Sequence, residues 1–166
     1  MNGAGVRTQA STRPQSYHSR EICGVRRSCA SLRSHRSSAF TNMQSIIDPA
    51  QVARSLTEFW SPRVLASVDD YYVKVAKLQG TFDWHAHDAE DELFMVLAGQ
   101  LTIKMEHASV TLSPGEIFVV PKGVRHCPVA EQECHVLLFE RNTTKHTGNE
   151  LTERTRTIAE QLRPIA

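Results

Sequence analysis

Between Val64 and Arg141 apolar and polar residues alternate in short runs. Leu101, Ile103 and Met105 alternate with Thr102, Lys104 and Glu106, and Ala108, Val110 and Leu112 alternate with Ser109 and Thr111. Tyr71, Val73 and Val75 form another such run. A period of two is the mark of strands buried on one face. Residues 93–98 (Leu-Phe-Met-Val-Leu-Ala) are apolar on both faces, which predicts a strand in the middle of a sheet. Turn signals separate the runs at Gly80, Ala98-Gly99, Ser113-Pro114-Gly115 and Lys122-Gly123. Closely spaced strands with no helical pattern between them predict an all-β sandwich or barrel. There is no internal repeat and no helix-turn-helix.

The flanks differ. From Asp48 to about Trp60, Val52, Leu56 and Phe59 recur at helical spacing. Asp48 suits the cap and Pro49 the first helical position, while Pro62 ends the segment. After Arg141 the chain turns polar. Residues 149–163 suit a helix with Leu151, Ile158 and Leu162 as weak anchors. Residues 1–42 are rich in Arg, Ser, Thr and Ala, and too poor in apolar residues to offset the entropy of ordering them. This predicts a disordered leader. It fits a mitochondrial transit peptide. The favoured reading is a start assigned too early, with Met43 as the first residue.

The net charge of +1 conceals an uneven distribution. Seven arginines and a single acid occupy residues 1–42, leaving 12 Lys/Arg and 17 Asp/Glu in 43–166. A mildly acidic body is not built to neutralise phosphates, so no nucleic-acid partner is expected. Cys23, Cys29, Cys127 and Cys134 form neither a disulfide framework nor a zinc-site spacing, which points to a reducing compartment and the cytoplasm, or to the mitochondrion if the leader is a transit peptide. No apolar stretch has the roughly 18–20 residues that would cross a bilayer.

The chemistry concentrates in two segments. In the first, 80–99, His85 and His87 stand two apart. On a strand they project from one face as a pair of nitrogen ligands. Glu92 opens the next strand, and if that strand lies beside the first its carboxylate meets both imidazoles. In the second, 115–126, a strand follows a tight turn, Pro121 and Gly123 make a corner, and His126 begins another strand as a fourth ligand. Three imidazoles and a carboxylate suit one divalent Fe, Mn, Zn, Ni or Co ion.

Here the chain resembles the cupin superfamily, whose motifs have the forms G-x5-H-x-H-x3,4-E-x6-G and G-x5-P-x-G-x2-H-x3-N. The first matches from His85 to Gly99, with Gly80 one residue closer than the pattern asks. The second matches from Gly115 to His126, with Ala130 in place of the final Asn. The resemblance implies a double-stranded β-helix, or jelly roll, with His85, His87, Glu92 and His126 as metal ligands. Composition and patterning divide the chain into a leader (1–42), an N-terminal helix (43–60), a barrel (61–142) and a polar tail (143–166). In detail the chain is similar to the small single-domain group called mannose-6-phosphate isomerase-like, a label of fold rather than activity.

A metal with four protein ligands keeps open positions for a substrate, or for a substrate and dioxygen. The leading expectation is therefore a small metalloenzyme of isomerase or dioxygenase type acting on a sugar-like or small oxygenated metabolite. No general base stands out, so no catalytic residue is assigned beyond the ligands. The alternatives are a non-catalytic binding or sensing module and a barrel with a vestigial site. Asp91 should support the site or be solvated. Asp88 and Glu90 read as part of a solvated acidic connection. Cys127 should face away from the metal, His107 and His135 should be ordinary surface or strand residues, and His146, in the polar tail, should be solvated. Phe94 and Val96 share the face of Glu92 and could line an apolar pocket or simply pack in the core. Trp84, opposite His85, could serve a contact in the homodimer that the resemblance and exposed sheet edges suggest.

Overall fold

The computed structural model describes residues 46–165; the leader and the reading of Met43 as first residue lie outside them. Helix α1 spans Pro49–Ser55, and Asp48 caps it by accepting from the amides of Ala50 (2.9 Å) and Gln51 (3.1 Å). It stops short of Trp60, where the periodicity would carry it. Leu56 is already extended, Phe59 bridges to Lys77, and the Trp60 amide donates to the Lys77 carbonyl at 2.9 Å. Pairing with the barrel edge wins over continuation of the helix. Trp60 adopts a φ of 56°, donates its indole N–H to the Gln79 carbonyl (2.8 Å) and stacks on Phe82 with centroids 4.8 Å apart. Trp60 thereby joins the barrel core, whereas Phe59, in helical phase with Val52 and Leu56 in the sequence, is exposed.

Seven antiparallel strands follow: β1 (Arg63–Val68), β2 (Tyr71–Thr81), β3 (Glu92–Ala98), β4 (Leu101–Met105), β5 (Ser109–Leu112), β6 (Ile117–Val120) and β7 (His126–Arg141). The sheet runs β1-β2-β7-β3-β6, with β5 joined through β4 to β7. The 16-residue β7 organises the barrel. Its first residues pair with β4, its later ones with β3, and β2 follows its other edge along most of its length. This is the all-β jelly roll that the strand pattern and the resemblance implied. As expected of a strand apolar on both faces, β3 is central, flanked by β6 and β7.

The alternation holds on β4 and β5, where Leu101, Ile103 and Leu112 are buried. On β2 it hides the important face. Val75 points outward beneath Ala53 of α1 and Leu56 just after it, while Ala76 and Leu78 face the core together with a buried Lys74. A helix laid over the outer face buries both sides, so the apolar run no longer identifies the inside. Gly99, which closes the first motif, has a φ of +77°, and a Cβ there would lie 2.5 Å from the Glu133 carbonyl oxygen. Only glycine fits that crossing of β7.

The tail departs most from its expected form. Only Ile158–Gln161 form helix α2, closed by a capping box between Thr157 and Glu160. Leu151 is 86% exposed and anchors nothing. The tail is held instead by polar contacts. The Thr147 hydroxyl bonds the Glu150 carbonyl (2.6 Å) and the Thr155 hydroxyl (2.7 Å), and the Gln161 amide donates to the Arg156 carbonyl (2.8 Å). Residues 142–157 form a strap of turns across one end of the barrel. Among the described residues no helix is long and apolar enough to cross a membrane.

Candidate metal centre

His85 follows β2 in extended chain and forms an antiparallel bridge with His126, each amide donating to the other's carbonyl at 3.0 and 2.9 Å. The bridge sets the two imidazoles side by side, with ring centroids 4.3 Å apart. His87, two residues on, projects to the same interior. Glu92 does not arrive from a strand beside this pair, since β3 pairs with β6 and β7 rather than β2. It reaches the imidazoles across the barrel interior. Its Oε2 lies 2.9 Å from His126 Nε2, 3.1 Å from His87 Nε2 and 3.9 Å from His85 Nε2. All four residues are buried, and their ligand atoms fall within 4.8 Å of one another. The structure thus brings together every residue that the two motifs singled out.

The hydrogen bonds behind the imidazoles prepare them for a cation. His85 Nδ1 donates to the Asp83 carbonyl and His126 Nδ1 to the Val124 carbonyl, each at 3.0 Å. A carbonyl only accepts, so the proton of each neutral ring sits on Nδ1 and the Nε2 lone pair faces Glu92. Two acceptors then meet at 2.9 Å between His126 and Glu92, an arrangement relieved only by a positive charge, either a proton or a metal ion. The donor set and its tautomers therefore fit a divalent transition ion.

Burial pushes His85 down to about 4, with His126 and His87 adding to the effect and Glu92 opposing it. Burial would also lower His87, but the hydrogen bond and charge of Glu92 outweigh it and hold His87 above its ordinary value. Burial would raise Glu92, yet the hydrogen bonds and charges of His126 and His87 hold it well below the usual carboxylate range.

Three titratable residues that the sequence pattern did not mark complete the interior. Lys74 on β2 and Glu140 on β7 form a buried ion pair, Nζ to Oε2 3.4 Å. Burial raises Glu140 to about 7, and the nearby Glu92 adds to this against the pull of Lys74. A charge in phase with Ala76 and Leu78 was the available clue to Lys74. The third is His146, expected to be solvated. It lines a small cavity of about 30 Å3 with Trp60, Phe82, Phe94, His85 and Glu92, room for one or two waters. Burial pushes His146 down to about 4; His85 and Lys74 add to this, while Glu92 and the Arg154 carbonyl oppose it. No hydrophobic period accompanies residue 146, so nothing in the pattern pointed to it.

Metal-free protein should lose stability as pH falls from about 6.5 to 4. His85 and His146 titrate near 6.5 when unfolded and near 4 when folded. Below 6.5 the unfolded chain therefore binds more protons, and stability drops until both states are protonated. His146→Phe should flatten this acid limb in urea titrations made across that range. An unchanged limb would mean that His146 is not buried as a neutral ring.

The remaining expectations divide. Asp91 is exposed and accepts the Lys122 amide at 2.9 Å, tying the start of β3 to the Pro121–Gly123 corner. Asp88 is exposed and pairs with the Asn149 side chain. Cys127 turns away from the centre to the Phe82 carbonyl (3.2 Å), and burial raises its thiol. Phe94 lines the cavity, whereas Val96 packs in the core. His107 is exposed and Trp84 is 39% exposed. Of His107 and His135, the latter is the strand residue, buried on β7 with Nε2 2.8 Å from Glu133.

The strap is seated by a close approach. Gly148, at a φ of +58°, lies against the backbone of Ala86, the residue between His85 and His87. A Cβ there would collide with the Ala86 carbonyl. Gly148→Ala should cost on the order of 2–3 kcal/mol from strain and overpacking. Urea denaturation would measure the loss, and limited proteolysis after Arg141 would show whether the strap is released. A variant as stable as the parent would refute this account of the seat.

Residues 71–140 match the family described as "Cupin domain". The chain is 31% identical over 87 residues to the uncharacterized protein YdbB of Bacillus subtilis (strain 168), covering 52% of this chain and 74% of that one. Among solved structures it is similar to a cupin-2 domain containing protein from Shewanella frigidimarina NCIMB 400, at 40% identity, with 58% of this chain and 94% of that chain covered and a TM-score of 0.56. It is also similar to protein NMB1881 from Neisseria meningitidis, at 28% identity, with 58% and 99% covered and a TM-score of 0.54. The strap lies beyond the residues of the family match. With the jelly roll, both glycine-framed motifs and these likenesses in agreement, the chain belongs to the cupin superfamily.

Proposed function

We propose that the chain is a small metalloenzyme that holds one divalent transition ion on His85, His87, Glu92 and His126. The observation that carries this reading is the convergence of three imidazole nitrogens on one carboxylate oxygen in a buried site. A bound ion would supply Lewis acidity or redox chemistry at coordination positions the protein leaves open, suiting an isomerase- or dioxygenase-type reaction. The chain's own contribution is to fix the tautomers of His85 and His126 and to keep bulk water out with Trp60, Phe82 and Phe94. A small, largely apolar cavity favours a small oxygenated molecule over a sugar as substrate. Two buried free thiols, Cys127 and Cys134, support a reducing compartment, the cytoplasm in this reading. Homodimerisation through the sheet edge at β6, where Ile117 and Val119 are exposed, belongs to the same reading.

A second reading, a non-catalytic metal-dependent binding module, is favoured by the wall itself. Lys74 and Glu140 are engaged with each other, and most of the lining is apolar.

The test is the metal content of the untagged full chain by mass spectrometry, beside Glu92→Gln. Close to one ion per chain is expected, with at least a tenfold loss of affinity in the variant. A chain that takes up none of Fe(II), Mn(II), Co(II), Ni(II) or Zn(II) would overturn both readings. Turnover that depends on the bound ion would separate the first from the second.

A further inference from the structure

None of the four clustered residues is more than 6% exposed. Every wall residue of the inner cavity is buried except His146, which is half-buried and belongs to the strap. His87, which is not part of that wall, borders a second cleft of about 180 Å3, lying between residues 87–90 and the strap from 143 to 149. In both places the strap stands between solvent and the cluster. An ion or a small molecule exchanges with so enclosed a site only if part of the wall moves.

The strap is braced within itself more than it is tied to the barrel. The Thr147 hydroxyl donates to the Glu150 carbonyl and accepts from the Thr155 hydroxyl, which in turn accepts the Thr152 amide. The Gly148 amide donates to the Lys145 carbonyl. The two ends are anchored: the Asn142 amide bonds the Asp70 carbonyl (2.9 Å), and beyond Thr157 Arg63 bonds the Glu160 carbonyl (3.4 Å). Between those ends, among the described residues, two side chains tie the strap to the barrel. Asn149 donates to Asp88, and Arg154 donates to the Thr81 carbonyl and pairs with Asp83 at 3.7 Å. Both ties lie at the surface, where such contacts contribute little. A segment firm inside and weakly tied outside opens as a piece at low cost.

We propose that residues 142–157 are a gate, swinging off Ala86 and residues 87–90 as one piece to admit a divalent ion, and any small ligand of that ion, through the cleft beside His87. The ion as cargo rests on the metal reading given above; the motion does not. The Asn149–Asp88 and Arg154–Thr81 contacts are its latches, and neither involves a side chain of the four-residue cluster. Weakening a latch therefore favours the open form to the same extent with or without an ion inside. Entry and exit quicken together, and affinity stays as it was.

The test follows Co(II) by its visible absorption as it enters the metal-free full chain and leaves the loaded chain into excess EDTA. Wild type, Asn149→Ala and Arg154→Lys are compared. The alanine removes one latch; the lysine keeps the charge of the other but loses its planar donor. Loss of one hydrogen bond predicts about a fivefold rise in both rates, with the dissociation constant within about twofold of wild type. A second readout needs no metal. Diethyl pyrocarbonate should modify His85 and His87 of the metal-free variants about fivefold faster than in wild type, with the exposed His107 modified equally in all three. Entry or modification unchanged in both variants would overturn the gate. Faster exit with unchanged entry would overturn it too, since the contacts would then support the ion's ligands rather than bar its path. A chain that takes up no Co(II) sinks the metal reading, and the modification rates then decide the gate alone.

Discussion

Lys74→Met is expected to destabilise the barrel by about 3–5 kcal/mol, the usual range when one partner of a buried ion pair is removed. Lys74 is 1% exposed and Glu140 4%, and their charged atoms lie 3.4 Å apart. Without the ammonium, Glu140 must either remain charged beside Glu92 or take up a proton. Burial already raises Glu140 to about 7 with the lysine present, so protonation is the cheaper course and the loss should deepen as pH rises. The sign follows from the shift. The folded value lies above the ordinary 4.5, so between the two the native state binds more protons and higher pH works against it. Lys74→Met combined with Glu140→Leu should recover most of the loss, because apolar residues of similar volume often replace a buried pair at no net cost. Urea unfolding of the two variants at pH 6 and pH 8 would decide. A single variant within about 1 kcal/mol of wild type would mean that the pair carries no structural load.

Removing the metal should have the second large effect. A ligand that binds only the native state at a hundred times its dissociation constant adds about 2.7 kcal/mol, which for a domain of this size shifts melting by roughly 10 °C. Wild-type protein loaded with its ion should therefore melt about that much higher than after chelation. His126→Ala should melt at one temperature with or without chelator. His126 is the best discriminator because it is completely buried and makes the shortest contact with Glu92, 2.9 Å. A wild type whose melting is indifferent to both chelator and added metal would remove the thermodynamic basis of the centre.

The parts legible in the sequence were those governed by short-range order. Strand alternation, glycine turns and the spacing of His85, His87, Glu92 and His126 are local, and each predicted element from Val64 to Arg141 appears. What could not be read depended on contacts between distant segments. The helix over Pro49–Ser55 ends early because Phe59 and Trp60 pair with Lys77, far along the chain. Lys74 lay concealed in an apolar run because α1 covers the outside of β2 and turns its charged parity inward. Glu92 was expected from a neighbouring strand and instead reaches its partners across the barrel. The tail was the hardest to read. Three apolar residues at helical spacing suggested a helix over 149–163, whereas its position is set by hydroxyl, amide and guanidinium contacts that have no period.

The strap has a consequence for how such a protein diversifies. The four clustered residues sit on strands and corners where a substitution disturbs packing throughout the sheet. The cavity's remaining polar group sits on about fifteen residues of turns, fixed mainly by Gly148 and a few polar contacts. The four-residue cluster and the cavity's remaining polar group are thus written in separate stretches of chain. Substitutions in the strap therefore change the polar wall of the cavity without touching the barrel residues that carry the cluster.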